Sequence, residues 1–431
     1  YVALRSHANC NVYLRRRSDN AERKAGNIGD WVRRYGGAYD FMIVLDADST
    51  MAGETVLRLV DAMERNPRVG LIQTTPAIVG AQTLFARLSQ FGVQMYGRVA
   101  AAGLAWWTGA ESSYWGHNAI VRVRAFAESS GLPILPGARP FGGHILSHDV
   151  VEGALLRRNG WAVHLTAALD GSCEQTPPTI FDFMRRDQRW CQGNLQHLGL
   201  LMAPGLHPIS RLQLFFGCLA YIASPLWFAA LLIGLAMQLK HPVDWNSFLY
   251  LLNPEFSPFM LTTLLSATLL VGPKVMGALL VLSRPRERRA FGGAGAILKN
   301  VGFEIVLAAI LAPIQMVANT HSVMQTFRGH DAGWLPQQRD AEDLPWDVAF
   351  KAMHWQMITG LVFLAGLCFR PDLSLCFAPV VLPLLFAAPL AVWTSRRANR
   401  RRALFATPEQ QLVSATLAVL VAQNRAQPIA R

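Results

Sequence analysis

Residues 39–50 read YDFMIVLDADST. The apolar run from Tyr39 to Leu45 breaks abruptly into two aspartates, Asp46 and Asp48, one residue apart. Such a run suits a short strand buried on both faces, as in a parallel sheet. Glu54 to Arg65 follows with helical periodicity, placing Val56, Leu57, Val60 and Met63 on one side, and Pro67 closes it. Val69 to Gln73 reads as the next strand. Strand, helix and strand in succession predict a doubly wound α/β sheet. Active sites of such sheets lie outside the carboxyl ends of the strands, where Asp46 and Asp48 fall.

The 431 residues are 52% hydrophobic and only 16% charged, with a net charge of +12. An ordinary soluble domain carries about a quarter charged residues. Basic clusters lie beside long apolar stretches, at Arg284–Arg289 (RPRERR) and Arg396–Arg402 (RRANRRR). That placement points to a membrane protein with positive charge on its inner side, and away from nucleic acid. Five apolar stretches follow residue 205: Leu212–Met237, Phe259–Leu282, Val301–Val323, Val348–Phe369 and Leu373–Trp393. If all five crossed, Arg396–Arg402 would face the outer side. Val301–Val323 is therefore expected not to cross, because Glu304, Gln315, Asn319 and His321 are costly in lipid and Pro313 can break the helix.

The six cysteines form no CxxC pair and no zinc spacing, which predicts reduced, mostly buried thiols and a catalytic part in the cytosol. The chain starts at Tyr1 with polar and basic residues and shows no apolar signal segment. Residues 1–45 are too few for a complete nucleotide-binding half before Asp46, so an amino-terminally incomplete domain is expected.

Three motifs carry chemistry. Asp46-Ala47-Asp48 can share a divalent cation and bridge it to a diphosphate, since hard cations prefer carboxylate and phosphate oxygens; a solvated turn is the plain alternative. Ser147-His148-Asp149 offers Asp149 as a general base for a sugar hydroxyl, or merely as a helix cap. Arg185-Arg186-Asp187-Gln188-Arg189-Trp190 brings cations and an aromatic that suit a diphosphate and a sugar ring. It also suits a basic amphipathic helix, Ile180–Leu201, lying on anionic lipid. Trp106, Trp107, Tyr114 and Trp115 precede His117-Asn118 as either core and interfacial aromatics or an acceptor platform.

Taken together and at this spacing, the motifs resemble glycosyltransferase family 2, the processive membrane synthases of the cellulose, hyaluronan and chitin type. Longer stretches share the likeness: Thr108–Asn118 (TGAESSYWGHN), Phe141–Asp149 (FGGHILSHD) and Asp187–Asn194 (DQRWCQGN). The resemblance implies a GT-A-type, Rossmann-like catalytic domain followed by transmembrane helices. It implies that Asp46 and Asp48 hold Mg2+ or Mn2+ and, with Lys24 of a Lys24-Ala25-Gly26-Asn27 segment, Arg186 and Arg189, bind the nucleotide sugar. Asp149 is then the base and Trp190 contacts the acceptor, while Trp115, His117 and Asn118 are the acceptor candidates that the aromatic cluster itself offers. Two positions depart from the family pattern: Arg186 stands where the QxxRW motif has Gln, and Ser147-His148 where the TED motif has Thr-Glu.

The implied reaction is inverting transfer from UDP-glucose to a growing β-glucan, the backbone of osmoregulated periplasmic glucans, coupled to export. Another β-glycan synthase of the cellulose type, or a non-catalytic transport or assembly protein, is the competing reading. Expected partners are UDP-glucose, the glucan chain, membrane lipid and a periplasmic glucan-processing protein. The expected location is the bacterial inner membrane with the catalytic domain cytoplasmic. The expected organisation is a catalytic domain at 1–205 with an interfacial helix at 180–201, and a membrane region at 206–395. Within the latter, 301–323 is interfacial or re-entrant and 327–345 is a gating loop; a basic tail at 396–431 follows.

Overall fold

The computed structural model describes residues 5, 10–240, 258–331, 333, 342–398 and 404–408. Residues 332 and 334–341 of the expected gating loop, and most of the basic tail, lie outside the described residues. The amino-terminal part runs α1 (Arg23–Tyr35), β1 (Phe41–Val44), β2 (Thr50–Met51), α2 (Gly53–Arg65), β3 (Val69–Thr74), β4 (Ala77–Ile78) and α3 (Leu84–Gly92). A π-helical turn at Val93–Gly97 joins α3 to α4 (Arg98–Thr108). Then come β5 (Ala119–Arg122), α5 (Val123–Ser129), α6 (His148–Arg158), β6 (Ala162–Thr166), β7 (Ser172–Glu174) and α7 (Ile180–Gln196).

The strand–helix–strand unit is present, but its strands are not neighbours. The larger sheet has the order β1–β5–β3–β6, and β5 runs antiparallel to both β1 and β3, while β3 and β6 are parallel. The sheet is therefore mixed rather than a doubly wound parallel one. Only four residues long, β5 follows a left-handed Asn118 (φ 51°) and offers no periodicity to read. Because β1, β3 and β6 point one way and β5 the other, the carboxyl ends of three strands meet the segment entering β5 at a single edge. A smaller sheet, β2–β7–β4, sits over that edge by pairing Thr50 and Ala77 with Cys173.

Long helices make up the rest: α8 (Pro208–Lys240), α9 (Pro258–Ser283), α10 (Pro285–Ala290), α11 (Ala294–Phe327), α12 (Trp346–Ala352), α13 (His354–Phe369), α14 (Ser374–Leu385) and α15 (Ala387–Ser395). Three of them, α8, α9 and α11, are long and apolar enough to cross a membrane, or up to five spans exist if each bent pair counts as one. The stretches read as Val348–Phe369 and Leu373–Trp393 are those bent pairs, broken by 62° and 61°. Pro313 does not break α11. Its lost backbone bond is offset where Pro313, Ile314, Met316 and Val317 are packed inside.

The largest apolar cluster belongs to neither half alone. It joins Leu84, Phe85, Leu88 and Phe91 of α3 to Ile297, Val301 and Leu307 of α11 and to Ala387, Ala391 and Val392 of α15. The backbone adds Leu84 N to Arg396 O at 3.1 Å and Ala398 N to Gln82 O at 2.9 Å. The thiols depart from expectation: Cys10, Cys368 and Cys376 are exposed, and only Cys191 and Cys218 are buried. Cys368 and Cys376 lie on apolar helix surfaces, which mean hydropathy alone does not separate from core.

Candidate active site

Strand β1 alternates half-buried and buried residues and ends just before Asp46. Lys24, in the first turn of α1, donates from Nζ to Asp46 Oδ1. Two segments singled out separately in the sequence thus form one ion pair. Asp149 sits in the first turn of α6, where the helix dipole favours negative charge. Its Oδ2 lies against Gly116 (φ 87°): a Cβ there would stand 3.1 Å from that oxygen. Only glycine allows this approach in this conformation.

Tyr114 is fully buried, and its hydroxyl donates to Gly116 O at 2.9 Å. Its pKa is held well above the usual range by burial first, then by the charges of Glu152, Asp149 and Asp46. Three carboxylates, two from α6 and one from the end of β1, therefore act on one ring. Behind Asp149, His148 Nδ1 stands 3.2 Å from Glu152 Oε1, both side chains being buried. Burial opposes charge on His148, but Glu152 and then Asp149 outweigh it and raise its pKa. Glu152 is raised by burial, against the pull of His148.

The acceptor candidates separate by exposure. His117 Nε2 lies 3.4 Å from Glu174 Oε2, and Trp115 is half-buried with its backbone N–H bonded to Gln73 Oε1 at 2.9 Å. Asn118 has no exposed surface. Its Nδ2 donates to Ser172 Oγ (2.8 Å) and Cys173 O (3.2 Å), tying the entry of β5 to β7. Trp106 and Trp107 are exposed on α4, apart from Tyr114 in the core.

Helix α7, capped by Thr179 whose Oγ1 accepts from Asp182 N at 3.1 Å, carries the third motif. Arg186 lies with its guanidinium 4.3 Å from the Trp190 ring centre and 4.9 Å from that of Phe183. Burial lowers its pKa, opposed by Asp187, Glu174, Tyr221 and Asp48. Arg189 is lowered by burial and by the neighbouring charges of Arg185, Arg186 and Arg23. Asp187 faces the other way, accepting from Tyr221 of α8 (3.1 Å) and Gln315 of α11 (3.1 Å).

Glu174 is a participant that sequence reasoning missed. Its pKa is raised by burial, opposed by His117 and reinforced by Asp48 and Asp46. No motif announces it; only the β2–β7–β4 pairing brings it to the edge. Among the described residues no group of three or more His, Cys, Asp or Glu side chains is placed to hold a metal ion. Asp46 and Asp48 offer hard oxygen donors of the kind magnesium and manganese prefer, with the rest of the coordination left to substrate phosphates and water. The donor chemistry fits.

Asp46 and Asp149 both act on Tyr114, and Asp46, Asp48 and Arg186 all act on Glu174, so residues of all three motifs gather near one edge of the mixed sheet. Residues 41–272 match Glycosyl transferase family group 2, and the chain belongs to that family. It is 45% identical to the glucans biosynthesis glucosyltransferase H of Caulobacter vibrioides over 95% of this chain and 64% of that protein. The protein of the same name from Xylella fastidiosa is 45% identical over 99% of this chain and 69% of its own length. That from Bradyrhizobium diazoefficiens is 47% identical over 92% and 54%. The chain thus spans less than two thirds of the length of the Caulobacter relative.

Proposed function

We propose that the chain is an inverting membrane glucosyltransferase that moves glucose from UDP-glucose to the end of a growing β-glucan and passes the product outward. The observation that carries this is the convergence of Asp46, Asp149 and Glu152 around Tyr114, with Asp48 and Arg186 acting on the neighbouring Glu174. The relatives' names support glucan as the product class.

In this reading Asp149 takes the proton of the acceptor hydroxyl as its oxygen attacks the anomeric carbon opposite the diphosphate. The bond from that carbon to the UDP oxygen breaks, and configuration inverts through an oxocarbenium-like transition state. Arg186, Arg189 and Lys24 neutralise the departing diphosphate. Asp46 and Asp48 would hold magnesium or manganese, which adds charge neutralisation on the same leaving group. Trp190 and Trp115 stack sugar rings and His117 contacts a hydroxyl, while Asn118 positions their loop. Residues 1–205 form the catalytic unit on the cytoplasmic face of a bacterial inner membrane, with residues 206–395 as its membrane region.

The test is turnover of UDP-glucose by the purified protein in lipid, with linkage analysis of the product. A β-linked glucose polymer is expected. UDP-glucose binding without any glycosidic product would instead favour a transport or assembly role.

A further inference from the structure

Helix α4 is tied at both ends to helices read as membrane spans. At its start, Arg98 Nη1 lies 3.6 Å from Glu287 Oε1, just beyond the end of α9. The π-helical turn before it packs so closely on α9 that a Cβ at Gly277 would stand 2.5 Å from Met95 O. Past its other end, Glu111 O accepts from Gln213 Nε2 at 2.8 Å, and Glu111 Oε2 lies 3.3 Å from His207 Nδ1, at the beginning of α8. Eleven residues at 1.5 Å each make α4 about 16 Å long. It therefore bridges the water-side ends of α9 and α8.

The sequence between those anchors, Val99 to Ala110 (VAAAGLAWWTGA), holds no charge. One side packs on β6, with Ala101 and Thr108 buried. The opposite side presents Ala100, Ala102, Gly103, Trp106 and Trp107, and Trp106 is 87% exposed. An uncharged, tryptophan-tipped face is unfavourable in bulk water, whereas indole with its single N–H suits the headgroup layer. From this placement we infer that α4 is an in-plane membrane-seating helix whose Trp106 and Trp107 sit in the lipid headgroup layer. The inference rests on the reading of α8 and α9 as spans.

The test places a nitroxide on single cysteines in the full chain, after Cys10→Ser, Cys368→Ser and Cys376→Ser remove the exposed thiols. The protein is reconstituted in vesicles of phosphatidylethanolamine and phosphatidylglycerol. Collision with oxygen is compared with collision with a water-soluble nickel chelate. Trp106→Cys should show an oxygen-to-nickel ratio several-fold above Leu57→Cys on the exposed face of α2. Leu270→Cys in the middle of α9 serves as the lipid reference. A lipid-like Leu270 with a water-like Trp106 overturns the inference alone. A water-like Leu270 overturns the spanning reading and the inference with it. Protection of a water-like Trp106 by added β-glucan oligosaccharide would assign the aromatic pair to sugar instead.

Discussion

Lys24 Nζ donates to Asp46 Oδ1, joining the first turn of α1 to the end of β1. The lysine stands beside a carboxylate expected to meet a diphosphate, so it is positioned to exchange that partner for a phosphate oxygen. Hydrogen bonds to charged groups contribute roughly 1.5–3 kcal/mol. Lys24→Ala should therefore raise the KM for UDP-glucose by about tenfold or more, with a smaller effect on kcat. Steady-state kinetics decide it; an unchanged KM removes Lys24 from the donor site.

Asp149→Asn keeps the shape of the α6 first turn and removes the base. Transfer should fall by about a hundredfold to ten-thousandfold, while UDP binding stays near the starting affinity. Calorimetry with UDP beside a transfer assay separates the two effects. Near-normal turnover in the variant would show that another group takes the proton.

Asp46→Asn and Asp48→Asn should each weaken the response of activity to added divalent metal, and excess chelator should stop transfer by the unaltered protein. Restoration by magnesium or manganese is the expected outcome of the titration. Full activity in chelator would leave the two aspartates without a metal to hold.

How much of this was readable beforehand differs by element. Asp46, Asp48 and Asp149 stand out because a strand end and a helix start are local events. The same holds for α2, read as Glu54 to Arg65 and found at Gly53–Arg65. Glu174 and β5 were invisible because their roles come from sheet pairing with residues far away in sequence. The neighbours of Asn118 point to an acceptor contact, yet its amide is spent on Ser172 and Cys173. The bends in the last two apolar stretches leave no mark in the sequence pattern because hydropathy averages over a break.

The buried His148–Glu152 pair sets a pH dependence. Both pKa values are raised: Glu152 by burial, and His148 because Glu152 and Asp149 outweigh burial. Lys24 is the cation facing both, and it opposes the rise. A raised value means that the folded chain keeps protons which the unfolded chain has released. Stability from the pair is complete below the ordinary values of 4.5 and 6.5 and is lost as pH rises through the folded values. Thermal unfolding midpoints in detergent should fall from mildly acidic to mildly alkaline pH. Glu152→Gln should flatten that fall; an identical slope in the variant would locate the dependence elsewhere.

Helix α11 bears on the topology, because both its ends and its middle touch the amino-terminal part. Glu304 accepts from Tyr96 Oη at 3.1 Å and pairs with Lys274 at 2.7 Å. Gln315 donates to Asp187, the Phe327 ring centre lies 5.4 Å from that of Phe141, and Asp331 lies 3.1 Å from both Arg139 and Gln192. A helix that crossed the bilayer would carry one end roughly 30 Å away from the catalytic unit. Of the polar residues that make α11 costly in lipid, Glu304 and Gln315 are spent on these contacts. Meanwhile Arg370, between α13 and α14, donates to Gln238 O near the far end of α8. With α8 crossing, the tip of the α13–α14 hairpin lies on the same side as the far end of α8. Four crossings, by α8, α9 and the two bent pairs α12–α13 and α14–α15, would then return Arg396 and Arg397 to the side of Arg284–Arg289, as the positive-inside rule requires. Labelling of His330→Cys in intact cells, with the exposed native thiols replaced, tests this. The position is exposed, and it is preferable to Gly333, whose φ of 66° would strain a side chain. No reaction with a membrane-impermeant maleimide is expected until the membrane is opened. Reaction from outside would make α11 a true span and place residues 327–345 in the periplasm, against the expectation that they form a cytoplasmic gating loop.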